Sequence, residues 1–412
     1  MVAYRIYGTD IEQQAIDHID ELSKSPVFTG DIVIMPDAHE GKGAVIGFTG
    51  RVNRKVGIVP NVIGVDCGCG CVAYSLGKVD IDLDKLNNWI RRAIPMGFHD
   101  WKEVNQKSNI YDLRCELIDK KYNNQLENLY GFMLRHLISG YEGADSQLGT
   151  LGSGNHFIDL CLDGDGTLWI VIHSGSRNPG QKIATFYQKK AADLHKMINP
   201  NQDPETAYLP FWLPEGVSEE YSANTYLQGL RLAQEWANAN RRMMIELILS
   251  YFDQTFDESK MIESVHNYID FSTGHDAPII RKGAISAYKD QKVIIPMNMA
   301  RGSVIGVGKG NGDWNYSAPH GAGRRMSRTR ALAELNVEEG KRYMSEMGVI
   351  NTDIDGCIDE LPGAYKDADE IVEAMKPSVE VIDWLKPVLN IKAHEEGRRK
   401  NRNNKNKENV DV

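Results

Sequence analysis

Cysteine is scarce in this chain: six among 412 residues, too few to staple a framework of this size. Three of them crowd into Cys67, Cys69 and Cys71, a spacing suited to thiolate chemistry in a reducing compartment. Long apolar runs are missing as well. Val293–Pro296 and Ala44–Phe48 fall far short of a membrane span, and the opening MVAYRIYGTDIEQQ has no apolar signal core, which predicts a cytoplasmic protein. Nor is there an excess of positive charge. The formal net charge of -10 repels phosphate over roughly a Debye length of about 10 Å, so it excludes a sequence-wide electrostatic grip on nucleic acid. Any RNA site must then be a local basic patch.

What is present is the composition of a soluble globular protein, 42% hydrophobic and 25% charged, in a chain long enough for one large core or two smaller ones. Ile11, Ala15, Ile16, Ile19 and Leu22 recur at helical spacing, and helices are also expected over 83–95, 111–139, 181–198 and 221–251. In the last of these, Leu227, Leu230, Ala233, Trp236 and Ala237 share a face. Short strands are expected at Ile32–Met35 and Val62–Val65, the second running straight into Asp66. No repeat or Pro/Ser linker divides the chain, so one domain over 1–394 is the simplest organisation. Residues 395–412, poor in apolar side chains and rich in Asn and Lys, are expected to form a disordered basic tail.

Four segments place a potential metal ligand beside glycine or a strand signal: VDCGCGC at 65–71, GSGNHF at 152–157, VIHSGSR at 171–177 and SVHNY at 264–268. Together they offer Asp66, Cys69, His156, His173 and His266, a borderline-soft N/O/S set that suits Mn²⁺, Zn²⁺, Co²⁺ or Fe²⁺ and not Mg²⁺ alone. His18, His99, His136, His195 and His275 lack that setting and read as ordinary hydrogen-bonded residues. The stretch from Pro36 to Gly50 carries His39, Glu40 and closely spaced glycines, which suggests backbone passing near a ligand.

In SAPHGAGRRMSR at 317–328, His320 precedes Gly321, Ala322 and Gly323, and a helix is expected to open with Arg324, Arg325 and Arg328. Small residues let backbone N–H groups approach a phosphate, and arginines add charge-assisted contacts. An imidazole held there can attack phosphorus and form a phosphoramidate, or the segment can be a plain helix start with solvated arginines. GVGKGNGDWN at 306–315 is as glycine-rich as a phosphate loop, but it lacks the GxxxxGK[ST] spacing; lining a nucleotide site is the use left open to it.

MPDAHEGKG, IGVDCGCG, LGSGNHF, HSGSR, HN, RKGA, HGAGRRMSR, DELPGAYK and a late IK follow one another from about residue 30 to residue 392. In that order they resemble the signatures of the RtcB 3′-phosphate RNA ligases. The resemblance implies an α+β fold with a central pair of mixed or antiparallel sheets, metal-bearing loops at strand ends and helices outside. It implies catalysis by a guanylate-linked His320 and a two-ion Mn²⁺ centre in which Cys69 touches both ions, with Asp66, His156, His173 and His266. The implied nucleotide site comprises Asn155, His156, Phe157, Ile158, Asp159, His266, Asn267, Pro296, Met297, Asn298, Met299, Ser303, His320, Gly321, Ala322, Gly323 and Lys392. Arg324 and Arg328 would hold RNA or triphosphate oxygens.

The expected activity is GTP-dependent joining of RNA 3′-phosphate or 2′,3′-cyclic phosphate ends to 5′-hydroxyl ends, in RNA splicing or repair, with room for an activating protein partner. Three positions depart from the family pattern. Asp159 stands where Glu is common, Pro296-Met297-Asn298-Met299-Ala300 replaces Pro-Gly-Ser-Met-Gly, and Cys67 and Cys71 flank Cys69. Two rival readings keep the metal cluster without joining: a metal-dependent RNA-end phosphatase or cyclic phosphodiesterase, and a non-catalytic RNA-binding module.

Overall fold

The computed structural model describes residues 1–393, apart from 9, 137, 140–142, 199–202 and 275. The expected tail at 395–412 and His275 therefore lie outside the described residues. Two large sheets organise the fold. The first has five strands in the order Tyr4–Ile6, Phe28–His39, Ile46–Val52, Ile279–Lys282 and Asn267–Asp270, parallel in its first pair and antiparallel thereafter. The second has seven antiparallel strands in the order Lys292–Asn298, Gly302–Gly308, Val379–Ile391, Phe157–Leu162, Leu168–Ser174, Gly70–Gly77 and Met261–Val265. One sheet is mixed and one antiparallel, and the fold is α+β.

The helix Ala223–Tyr251 joins the two cores. Ser222 caps its start by accepting from the Asn224 N–H, and its first and second halves carry separate sets of apolar positions. Tyr226, Leu230, Ala233 and Trp236 enter the core under the five-stranded sheet, while Met244, Ile245, Ile248 and Leu249 enter the core against the seven-stranded one. Each large side chain fully buried in this way contributes roughly 2 kcal/mol.

Local chemistry overrides periodicity in several places. Val62–Val65 is not a strand: Pro60 starts a helical turn, Pro60–Ile63, and Gly64 ends it at φ 80°. The strand begins only at Gly70, so Asp66–Cys69 forms its entry loop. The expected 111–139 helix is Asn109–Leu117 and Asn123–Arg135 joined by a π turn at Ile118–Tyr122. The helix expected to open at Arg324 starts at Arg328, because Ser327 takes the cap position and accepts from the Arg330 N–H. GVGKGNGDWN lies away from the main cavity and ties down the turn before the last strand: the Lys309 ammonium donates to the Lys376 carbonyl and the Asn311 amide to that of Pro377.

Candidate active site

The entry loop of the Gly70–Gly77 strand brings Cys69 to the edge of the seven-stranded sheet. Its neighbour there, Leu168–Ser174, carries His173 as its next-to-last residue, and the next strand follows directly on His156. The backbone of His266 donates to the Cys69 carbonyl, which brings the loop after Met261–Val265 to the same point. Four chain segments so deliver one cluster, buried except for the half-exposed Asp66. Cys69 Sγ lies 3.5 Å from His156 Nε2 and 3.3 Å from His173 Nε2. His173 Nε2 lies 3.4 Å from His266 Nε2, and His156 Nε2 lies 3.7 Å from Asp66 Oδ2.

The five donors form two overlapping trios, Asp66 with Cys69 and His156, and Cys69 with His173 and His266. Donors about 2.0–2.3 Å from a tetrahedral ion stand roughly 3.3–3.8 Å from one another, so these spacings suit a metal. The electrostatics suit one too. Burial, then the Asp66 charge, pushes the Cys69 thiol well above its ordinary value, and burial with the neighbouring imidazoles holds His173 and His266 well below theirs. Burial also opposes the Asp66 charge, yet its contacts with His156 and Cys69 bring that carboxyl down to about 2. A cation among these groups relieves the cost of the thiolate while leaving the imidazoles neutral, as ligands must be. The cluster could hold a metal ion.

Asp66, His173 and His266 open into a cavity of about 790 Å³, while Cys69 and His156 sit behind its wall. His320 enters the same cavity, its ring 4.8 Å from that of His266. Its Nδ1 lies 2.6 Å from Asp37 Oδ2, and its backbone N–H donates to the same oxygen at 3.2 Å. A carboxylate only accepts, so Nδ1 carries the proton and Nε2 keeps the free lone pair. Gly323, at φ 74°, allows the close passage: a Cβ there would sit 2.1 Å from the Asp37 carbonyl oxygen.

Over residues 18–393 the chain matches a family model described as tRNA-splicing ligase RtcB. It belongs to the RtcB family. Among its relatives, RNA-splicing ligase RtcB of Escherichia coli K12 is 32% identical over 388 residues, covering 89% of this chain and 91% of that protein. The tRNA-splicing ligases RtcB of Nanoarchaeum equitans and Thermococcus kodakarensis are 28% and 26% identical, each over 90% of this chain. They are matched over 91% and 90% of their own lengths.

In this RtcB-family chain the expected nucleotide residues divide. Asn155, Phe157, Asp159, His266, Asn267, Pro296, Met297, Asn298, Met299, His320, Gly321, Ala322, Gly323 and Lys392 all line the cavity. Ile158 does not, because strand alternation turns it into the opposite core. Ser303 is fully buried within the sheet and also lies off the lining. The Asn298 side chain faces inward on its own turn, accepting from the Ala300 and Arg301 N–H groups. Asn267 bridges two loops, donating to the Asp66 carbonyl and accepting from the Gly283 N–H.

Arg324 and Arg328 are engaged with carboxylates. Arg324 Nη1 lies 3.1 Å and Arg328 Nη1 2.6 Å from Glu360 Oε1, and Lys392 Nζ lies 3.1 Å from its other oxygen. Arg328 also meets Asp359 at 2.6 Å. Arg325 is exposed at the cavity wall. Sequence reasoning did not single out Asp37, Glu360, or the helix pair Asn240 and Arg241. The first two lie inside quoted motifs, MPDAHEGKG and DELPGAYK, and the other two are polar residues on the apolar side of a helix. Of the histidines read as ordinary, His195 bonds the Tyr208 carbonyl and His99 pairs with Glu103, while His18 lies 3.9 Å from Glu205 and His136 packs on Phe132.

Proposed function

We propose that this chain is a GTP-dependent RNA ligase that joins RNA 3′-phosphate or 2′,3′-cyclic phosphate ends to 5′-hydroxyl ends through a covalent His320–GMP intermediate. The observation that carries this reading is an imidazole with its Nδ1 held by a buried carboxylate and its ring beside a donor cluster that could hold a metal ion. His320 Nε2 attacks the α-phosphorus of GTP, the N–P bond forms and pyrophosphate leaves, while Asp37 keeps the Nδ1 proton in place and balances the charge that the ring gains. A cyclic phosphate end is first opened by water to a 3′-phosphate. An oxygen of that 3′-phosphate then attacks the same phosphorus, the N–P bond breaks and His320 is regenerated. The 5′-hydroxyl attacks the activated 3′-phosphate and GMP leaves. Divalent ions, Mn²⁺ by family resemblance, would be held by Asp66, Cys69, His156, His173 and His266 and would supply Lewis-acid stabilisation of phosphate oxygens. The relatives' printed names, RNA-splicing and tRNA-splicing ligase, support RNA as the substrate.

The test is incubation of the purified protein with α-³²P-GTP and Mn²⁺, followed by a denaturing gel, alongside His320→Ala. An acid-labile label lost in the variant is expected. A label that persists in His320→Ala overturns the nucleophile assignment. Release of phosphate from RNA ends with no label on any nucleotide favours the phosphatase reading instead.

A further inference from the structure

The strand Val379–Ile391 carries a bulge between Pro387 and Leu389, and beyond it Asn390 stands directly opposite Asp159. Both line the cavity, whereas Leu389 and Ile391 face the core. Asn390 donates from Nδ2 to Asp159 Oδ1, at 2.5 Å, and accepts from Asn351 Nδ2 at 2.6 Å. Asn351 Oδ1 in turn accepts from the Asp353 backbone N–H at 2.7 Å. A backbone N–H can only donate, so it fixes the direction of every amide after it. Asn351 must turn its oxygen to Asp353 and its NH₂ to Asn390, and Asn390 must then turn its own NH₂ to Asp159.

We propose that Asn390, locked by Asn351, is a positioning residue that presents the Asp159 carboxylate to the nucleobase and so sets the base selectivity of this site. The inference rests on the nucleotide reading above. The relay occupies one oxygen of Asp159 and leaves the other as an acceptor. An acceptor-only wall suits a base edge with adjacent N–H donors, N1–H and the 2-amino group of guanine, and it rejects adenine, whose N1 is itself an acceptor. It also accounts for how a carboxylate one methylene short of the family's Glu can serve: the side chain is braced from its cross-strand partner. Burial raises the Asp159 carboxyl to about 7, with the Asn390 hydrogen bond and the Lys392 charge opposing it. Cys71 and Cys161 lie on the same side, but burial holds both thiols neutral through this range.

The experiment measures the rate of adduct formation with GTP and with ATP in the wild type, Asn390→Ala and Asn351→Ala, from pH 6.5 to 8.5. Without the Asn390 donor, Asp159 keeps its proton to higher pH and turns an O–H toward guanine's donors. Asn390→Ala should raise KM for GTP about tenfold near pH 7, more than it lowers kcat, and shrink the GTP-over-ATP preference by a similar factor. The loss should diminish at pH 8.5. Taking variant-to-wild-type ratios at each pH removes the titration of His320 from the comparison. Asn351→Ala lies one link further out and should shift both quantities the same way by less, which keeps the test usable if Asn390→Ala folds poorly. A labelled wild type with unchanged preference and pH profile in both variants overturns the relay. A wild type that labels with no nucleotide overturns the functional reading itself.

Discussion

At the residue scale the decisive contact is Asp37 to His320. Asp37 is fully buried, its Oδ2 takes both the ring and the backbone N–H of His320, and its Oδ1 has no hydrogen-bond partner among the described residues. A buried carboxylate with an unpaired oxygen is costly to stability, so its presence points to a role in chemistry. Asp37→Asn keeps the shape and removes the charge. We expect folding stability equal to or above wild type in a thermal melt, but nucleotide transfer to His320 slower by roughly 100-fold, because the amide can hold the wrong tautomer. A transfer rate within a few-fold of wild type would show that Asp37 does not orient the ring. His320, the five candidate metal donors and part of the cavity wall were legible in the sequence, some from their own chemistry beside glycine or a strand end and the rest through the family's motifs. Asp37 was not. A carboxylate 283 positions away becomes a histidine's partner only through the pairing of sheets that a single sequence does not display.

At the element scale, the long helix does more than fill two cores. Asn240 and Arg241, both with no exposed surface, reach from it into the loops that carry the candidate metal donors. Asn240 accepts from the Gly149 and Thr150 N–H groups and donates to the Thr150 carbonyl. Arg241 donates to the carbonyls of Gly68 and Ser174, at 3.0 Å and 2.8 Å, beside Cys69 and His173. Asn240→Ala would leave several buried backbone groups unpaired and should lower stability by about 3 kcal/mol, read as a shift in the urea midpoint. Loss of metal affinity should accompany it, since loops no longer pinned hold the donors less well. A variant as stable as wild type would mean that water replaces the amide at no cost. Periodicity found this helix because Leu230, Ala233, Trp236 and Ala237 repeat at its spacing, but periodicity treats Asn240 and Arg241 as interruptions. It also misread Val62–Val65, where Pro60 and Gly64 decide the backbone and the apolar side chains merely follow.

At the scale of the whole molecule, an acidic chain that is to bind phosphate in this cavity, as proposed, must keep cations there without letting them scatter. Glu360 solves this from the inside. It is buried and holds Arg324, Arg328 and Lys392 together, joining the segment after His320 to the end of the last strand. With Asp359 on Arg328, three cations face two carboxylates, so the cluster keeps a net positive charge, as the proposed phosphate binding requires. Burial alone would raise the Glu360 carboxyl, but Lys392, Arg328 and Arg324 bring it down to about 2. A folded-state value below the ordinary 4.5 means that Glu360 contributes stability above pH 4.5 and loses it as pH falls toward about 2. At neutral pH that contribution is on the order of 3 kcal/mol. Glu360→Gln should therefore be less stable than wild type in urea at pH 7, and the gap should narrow as the measurement is repeated from pH 5 down to pH 3. A gap that stays constant over that range would mean that Glu360 acts by packing and not by charge. Such a result would also remove the reason to regard the three cations as one preorganised group.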